Sequence, residues 1–170
     1  MRCAISFGAL FTVAALAFTG CADDGGEAEP DELAELEADV CEHFAEGPIE
    51  AATAGADAAS AVDITGGHTR WDIALVDVDG GKGGFVSIAI DEATEYAIFV
   101  GTNTDVTVTD ASGAAVTPEE MFVGSEVCVA IGASYHVDLA VGTYTIEIGP
   151  TSETTVQLVY LEPGHDHEHE

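Results

Sequence analysis

The chain has 170 residues, thirty-two of them acidic and only three Lys or Arg, for a formal net charge of −29 at neutral pH. A field of that sign repels nucleic acid and anionic membrane surfaces and attracts cations and basic partners. Nearly half of the residues are hydrophobic, and the length suffices for one domain with a real core.

The first element is an export leader. Arg2 and the terminal amine make a short positive end, and Ala4 to Phe18 is an apolar, uncharged run too short to span a bilayer comfortably. It exits through Phe18-Thr19-Gly20-Cys21. This resembles the lipobox of bacterial lipoproteins, with a departure at Phe18, where that family usually has Leu. The resemblance implies that residues 1–20 are a signal peptide and that Cys21 carries the lipid and anchors the chain to a membrane. Ala22 in place of Asp implies an outer-membrane destination, facing the periplasm or the cell surface. The alternative is a plain secreted protein cut nearby.

With Cys3 in the leader and Cys21 lipidated, Cys41 and Cys128 remain as an even pair in an oxidising compartment, and a disulfide between them is expected, the alternative being that both are metal ligands. Removal of the leader leaves Arg70 and Lys82 as the only cationic side chains.

Residues 21–30, ending in "ADDGGEAEP", read as an acidic tether. A folded domain over 31–162 follows. "DELAELEADVCEHFAEGP" is its one clear helix, with Asp31 and Glu32 at its start and Gly47-Pro48 stopping it. Leu33, Leu36, Val40 and Phe44 fall within an arc of about 80°, the face that packs. His43 lies on one flank of this arc and Cys41 on the other, roughly 160° apart, so "CEH" does not chelate one ion from a regular helix.

An Ala/Thr-rich stretch over 49–64 gives only a weak strand-and-loop signal; thereafter the hydrophobic period becomes two. "HTRWDIALVDV", "GFVSIAI", "EYAIFV", "DVTVTD", "EVCVAI", "YHVDLAV", "TYTIEIG" and "TTVQLVYLE" are strand-like and are separated by glycine-rich turns. Seven to eight such strands after one N-terminal helix predict a mainly β protein, an antiparallel β-sandwich. The tract "GTYTIEIGPTSETTVQLVYLE", with "DASG" upstream, resembles bacterial pre-peptidase C-terminal domains over about the last hundred residues. That likeness implies a sandwich fold and a secreted setting, not an activity.

"DVDGGKGG" (77–84) is neither a phosphate loop, since Gly83 follows Lys82, nor an EF-hand, since Gly81 and Ile88 stand where ligands belong. It reads as a hairpin turn, with Asp77 and Asp79 its only calcium-type ligands. No G-x-S-x-G or H-E-x-x-H occurs, and Met121 lies far from any blue-copper spacing, so the sequence suggests binding and no enzyme activity.

The histidines carry the functional signal. His43 is on the helix, His68 opens the first clear strand, and His136 begins "YHVDLAV"; alternation puts His68 and His136 on the face away from the core. Convergence of the three, with Glu42, Asp72 or Asp138 as outer acceptors, would suit zinc or, second, copper. The alternative is three unrelated histidines, one at a helix C-terminus and two exposed on strands. In the tail, 163–170, His165, His167 and His169 alternate with Asp166, Glu168 and Glu170 and would project to one side of an extended chain as a cation-collecting set, the alternative being a solvated acidic terminus with incidental histidines. The combined expectation is a lipid-anchored protein that captures or delivers a divalent metal ion. A structural or adhesive surface lipoprotein, binding a protein or a glycan, is the rival.

Overall fold

The computed structural model describes residues 30–162. Helix α1 spans Pro30–Glu46. The strands that follow are β1 Ile49–Thr53, β2 Val62–Asp63, β3 Arg70–Ala74, β4 Val76–Val78, β5 Gly81–Ile90, β6 Thr94–Val100, β7 Val106–Thr109, β8 Ala115–Val116, β9 Glu120–Val123, β10 Ala133–Leu139, β11 Gly142–Thr151 and β12 Thr155–Leu161. Seven of them run five residues or more. No helix among the described residues is long and apolar enough to cross a membrane.

The strands form two sheets. One has the order β1-β3-β12-β6-β10-β9; the other runs β2-β5-β11-β7-β8, with β4 also on β5. Pairing is antiparallel except for β1 with β3 and β2 with β5. The main core lies between the sheets, where alternate residues such as Trp71, Ile73, Ile98, Tyr135, Val137, Ile146 and Leu158 are buried.

The first sheet is covered on its other face too. There Ala97, Phe99, Val159 and Leu161 meet Val40 and Phe44 of α1, together with Cys128 and Ile131. This is the apolar helix arc expected from the 3.6-residue period, and burying a side chain such as Val40 or Phe44 contributes about 1.5–3 kcal/mol. Three further contacts hold the helix in place. The Cys41–Cys128 disulfide is formed, with the two Cα atoms 5.6 Å apart. The Ser125 hydroxyl donates to Glu37 Oε2 at 2.6 Å and accepts from the backbone N–H groups of Val127 and Cys128. Arg70 Nη1 donates to the Phe44 carbonyl at 2.6 Å, satisfying a terminal helix acceptor, while its Nε and Nη2 grip Asp72.

One expected strand is absent. "EVCVAI" (126–131) is a loop, in which Ile131 N–H turns back to the Cys128 carbonyl and Val129 is fully exposed. The Ser125 hydroxyl accepts from the Val127 and Cys128 N–H groups, which a strand ladder would otherwise have paired, and the disulfide ties the loop to the helix. The strand in this region is the preceding β9, at the sheet's edge.

Candidate metal centre

The helix, the turn before β3 and the end of β12 meet at one place, and two of the three described histidines, His43 and His68, meet there. His43 Nε2 lies 3.2 Å from His68 Nδ1. Asp39, one helical turn before His43, places Oδ2 3.5 Å from His43 Nε2. Asp39, His43 and His68 are partly buried, and their ligand atoms all lie within 4.8 Å of one another. Among the described residues no other set of three His, Cys, Asp or Glu side chains comes together in this way.

Local chemistry explains each position. Residues i and i+4 share a helix face, so Asp39 and His43 project together. His43 is in the last turn, where the Phe44 carbonyl is capped by Arg70 and the disulfide at Cys41 fixes the adjoining turn. His68 does not open a strand. It sits in the turn Gly66-Gly67-His68 with φ +60°, a left-handed conformation that side chains rarely adopt and that histidine tolerates better than most. Such backbone cost persists where surrounding contacts impose it. Here the His68 N–H donates to the Tyr160 carbonyl at 3.1 Å, and the Gly66 N–H donates to the Tyr160 hydroxyl at 3.1 Å. That hydroxyl donates in turn to the Ile64 carbonyl, and burial, the largest cause, pushes its pKa up and keeps it a donor.

Two of the three donor separations suit a tetrahedral ion. With metal–donor bonds of about 2.05 Å, donors 3.2 Å apart subtend about 103° at the ion, and the 3.5 Å Asp39–His43 separation subtends about 117°. Both bracket the tetrahedral angle. These three side chains would supply three of the ion's four positions.

His136 does not join this set. It lies on β10, separated from β12 by β6, and is 2 % exposed. Alternation correctly turns it away from the main core, but the face it joins is itself covered. Phe99 and Phe122 stand edge-on to its ring, and Nδ1 bonds Glu95 Oε1 at 2.9 Å. Asp72 is not an outer acceptor for a histidine either, being held by Arg70. Asp138 crowds Glu119, whose carboxyl it raises above the ordinary range, chiefly through like charge. In the glycine-rich turn, Lys82 Nζ stands 2.7 Å from Asp77, occupying the carboxylate that a calcium ion would need. His165, His167 and His169, like Cys21, lie outside the described residues.

Asp39 was not among the candidate ligands, although its signal was present as D-x-x-x-H on a helix. The sequence matches no known family model, and it matches none of the curated proteins.

Proposed function

We propose that this protein binds a divalent transition metal ion, zinc first and copper second, for capture or delivery and not for catalysis. The observation that carries the reading is the 3.2 Å approach of His43 Nε2 to His68 Nδ1 with the Asp39 carboxylate beside them. Two imidazoles and a carboxylate are borderline donors that suit these ions. The strongly acidic chain raises the local concentration of cations around such a site. In this reading the protein is exported and held at the outer membrane, at the periplasmic face or the cell surface, by lipid on Cys21. The leader's likeness to a lipobox supports this, as does the Cys41–Cys128 disulfide, a bond that persists in oxidising compartments.

The test is calorimetric titration of zinc into the chain from residue 22 onward, at neutral pH and free of chelator. The expected result is saturable binding near one equivalent, lost in H43A/H68A. Binding should weaken in acid, because protons compete for imidazole. Absence of saturable zinc or copper binding sinks the proposal.

The second reading is a surface protein whose partner is another protein or a glycan. Met121 and Val123, well exposed on the edge strand β9, favour it. Metal content of the protein as isolated separates the two, because the second reading requires none.

A further inference from the structure

We propose that the open edge of β9 docks an extended segment of a partner protein, which adds as a strand beside Met121 and Val123 and sets a Lys or Arg against Glu119 and Asp138. The inference rests on the second reading above and gives the partner its chemistry; it does not involve the metal centre.

Exposed apolar side chains are concentrated on this hairpin. Among the described residues seven large hydrophobic side chains are exposed, and four of them are Met121, Val123, Val127 and Val129. Two lie on β9 and two on the loop that joins it to β10. That loop is held firmly. Cys128 is buried and bonded to Cys41 of the helix, the Val127 and Cys128 N–H groups donate to the Ser125 hydroxyl, and Ile131 is buried. Val127 and Val129 flank Cys128, so the bond that draws Cys128 inward holds both valines in water. Apolar groups gathered and fixed in this way mark an interaction surface.

The backbone of β9 gives the mode of docking. Gly124 donates its N–H to the Gly132 carbonyl at 2.9 Å, and the polar groups of an antiparallel strand alternate between its two sides. In the register that sets Phe122 opposite Ser134 and Glu120 opposite His136, residues 120 and 122 turn theirs to β10, and residues 121 and 123 turn theirs away from it. Since β9 ends its sheet, those N–H and C=O groups are a template for another strand. Edge strands are ordinarily blunted by lysine or proline, and "EMFV" has neither.

Charge selects the occupant. Glu119 and Glu120 stand at the start of β9 with Asp138 of β10 and Glu95 of β6, the last two registered opposite each other. The charge of Asp138, ahead of burial, lifts the Glu119 carboxyl above its ordinary range. A cationic side chain on the incoming strand relieves this crowding. A second copy of the chain is the wrong occupant, since it would set a formal charge of −29 against another of −29. The segment that fits alternates apolar residues, packing beside Met121 and Val123, with Lys or Arg at the end that meets Glu119.

The probe is a synthetic peptide, "KVTVKVTV", titrated into the isotope-labelled chain from residue 22 onward at about 0.15 M salt; "KSTSKSTS", of equal charge, is the control. Affinity is read from nuclear magnetic resonance titration and strand addition from amide hydrogen exchange. The first peptide should bind at least about tenfold more tightly than the control and slow exchange at Met121 and Val123. M121K/V123K alters two exposed side chains, so it should stay folded and bind at least about tenfold more weakly. E119Q/D138N should bind more weakly and with less dependence on salt, and H43A/H68A should bind like the parent. Equal binding of the two peptides overturns the inference, as does binding that leaves exchange at Met121 and Val123 unslowed. No saturable binding of the first peptide overturns strand addition and leaves the second reading to a glycan. A dimer in sedimentation that M121K/V123K abolishes overturns it in favour of a second copy.

Discussion

Gly47 is packed against His43. A β-carbon at position 47 would stand 2.9 Å from both the Cα and the carbonyl oxygen of His43, and 3.1 Å from its Nδ1. Two of these atoms are backbone and cannot swing aside, so G47A must shift the end of α1 and with it the His43 ring. The expected cost is about 1–3 kcal/mol of stability, by overpacking, with zinc affinity reduced about tenfold. Thermal melts and chelator competition on the same sample check both. Unaltered affinity with a normal fold would show that the ring's placement does not depend on this contact.

His136 and His68 should respond to substitution in opposite ways. Removing the buried His136 ring from between Phe99 and Phe122 leaves a cavity, and H136A is expected to lose about 2–4 kcal/mol of stability while keeping its zinc affinity. H68G relieves a left-handed backbone at φ +60° and should leave metal-free stability within about 1 kcal/mol of the parent. Its zinc affinity should fall at least tenfold. Melting curves and titrations of the pair make the comparison, and a binding defect in folded H136A would contradict the assignment.

The disulfide closes a loop with a sequence separation of 87 residues. In the chain-entropy account, C41A/C128A should therefore be less stable by about 4–5 kcal/mol. Because Cys41 anchors the helix that carries Asp39 and His43, the double variant should also bind zinc more weakly at temperatures where it remains folded. Denaturant melts of both proteins, with and without zinc, measure the two effects.

Two carboxylate environments should give opposite pH responses. The Asp57 carboxyl is held below its ordinary 3.8 first by the Ser60 side chain, and that of Asp110 likewise first by the Ser112 side chain. A carboxyl depressed on folding adds stability above its unfolded pKa and loses it as the pH falls through the folded one. D57N/D110N should thus melt below the parent at neutral pH, with the gap closing as the pH drops below 3.8. Glu119, raised above 4.5 chiefly by the charge of Asp138, has the opposite sign: its ionised form costs stability at neutral pH. E119Q should melt above the parent at pH 7 and lose that advantage once the pH is below 4.5. Melting temperatures across pH 3–7 check both signs.

Much of the architecture follows from local periodicity. The 3.6-residue spacing of Leu36, Val40 and Phe44 identified the helix and the face it buries, and alternation in "EYAIFV" and "TTVQLVYLE" identified β6 and β12. Those signals depend on neighbours in the chain and need no fold to be read. The even pair Cys41 and Cys128 was legible for a comparable reason, since few alternatives remained once Cys3 and Cys21 were assigned to the expected leader and lipid site. Alternation misled at 126–131, where Val127 and Val129 face solvent and Cys128 is held by its bond to the helix. It also could not grade the exposure of His136, because a sheet covered on both faces has no solvent side to sort by.

The sequence by itself determined the types of element, the helix face, the cysteine pair and a charge that draws cations. Only the tertiary structure decided which histidines meet. His43 and His68 are 25 residues apart, and their rings converge because β12 pairs with β3 and lies under α1, presenting the Tyr160 carbonyl to the His68 backbone. Such a juxtaposition is set by strand pairing and helix docking between distant segments, to which no local period refers.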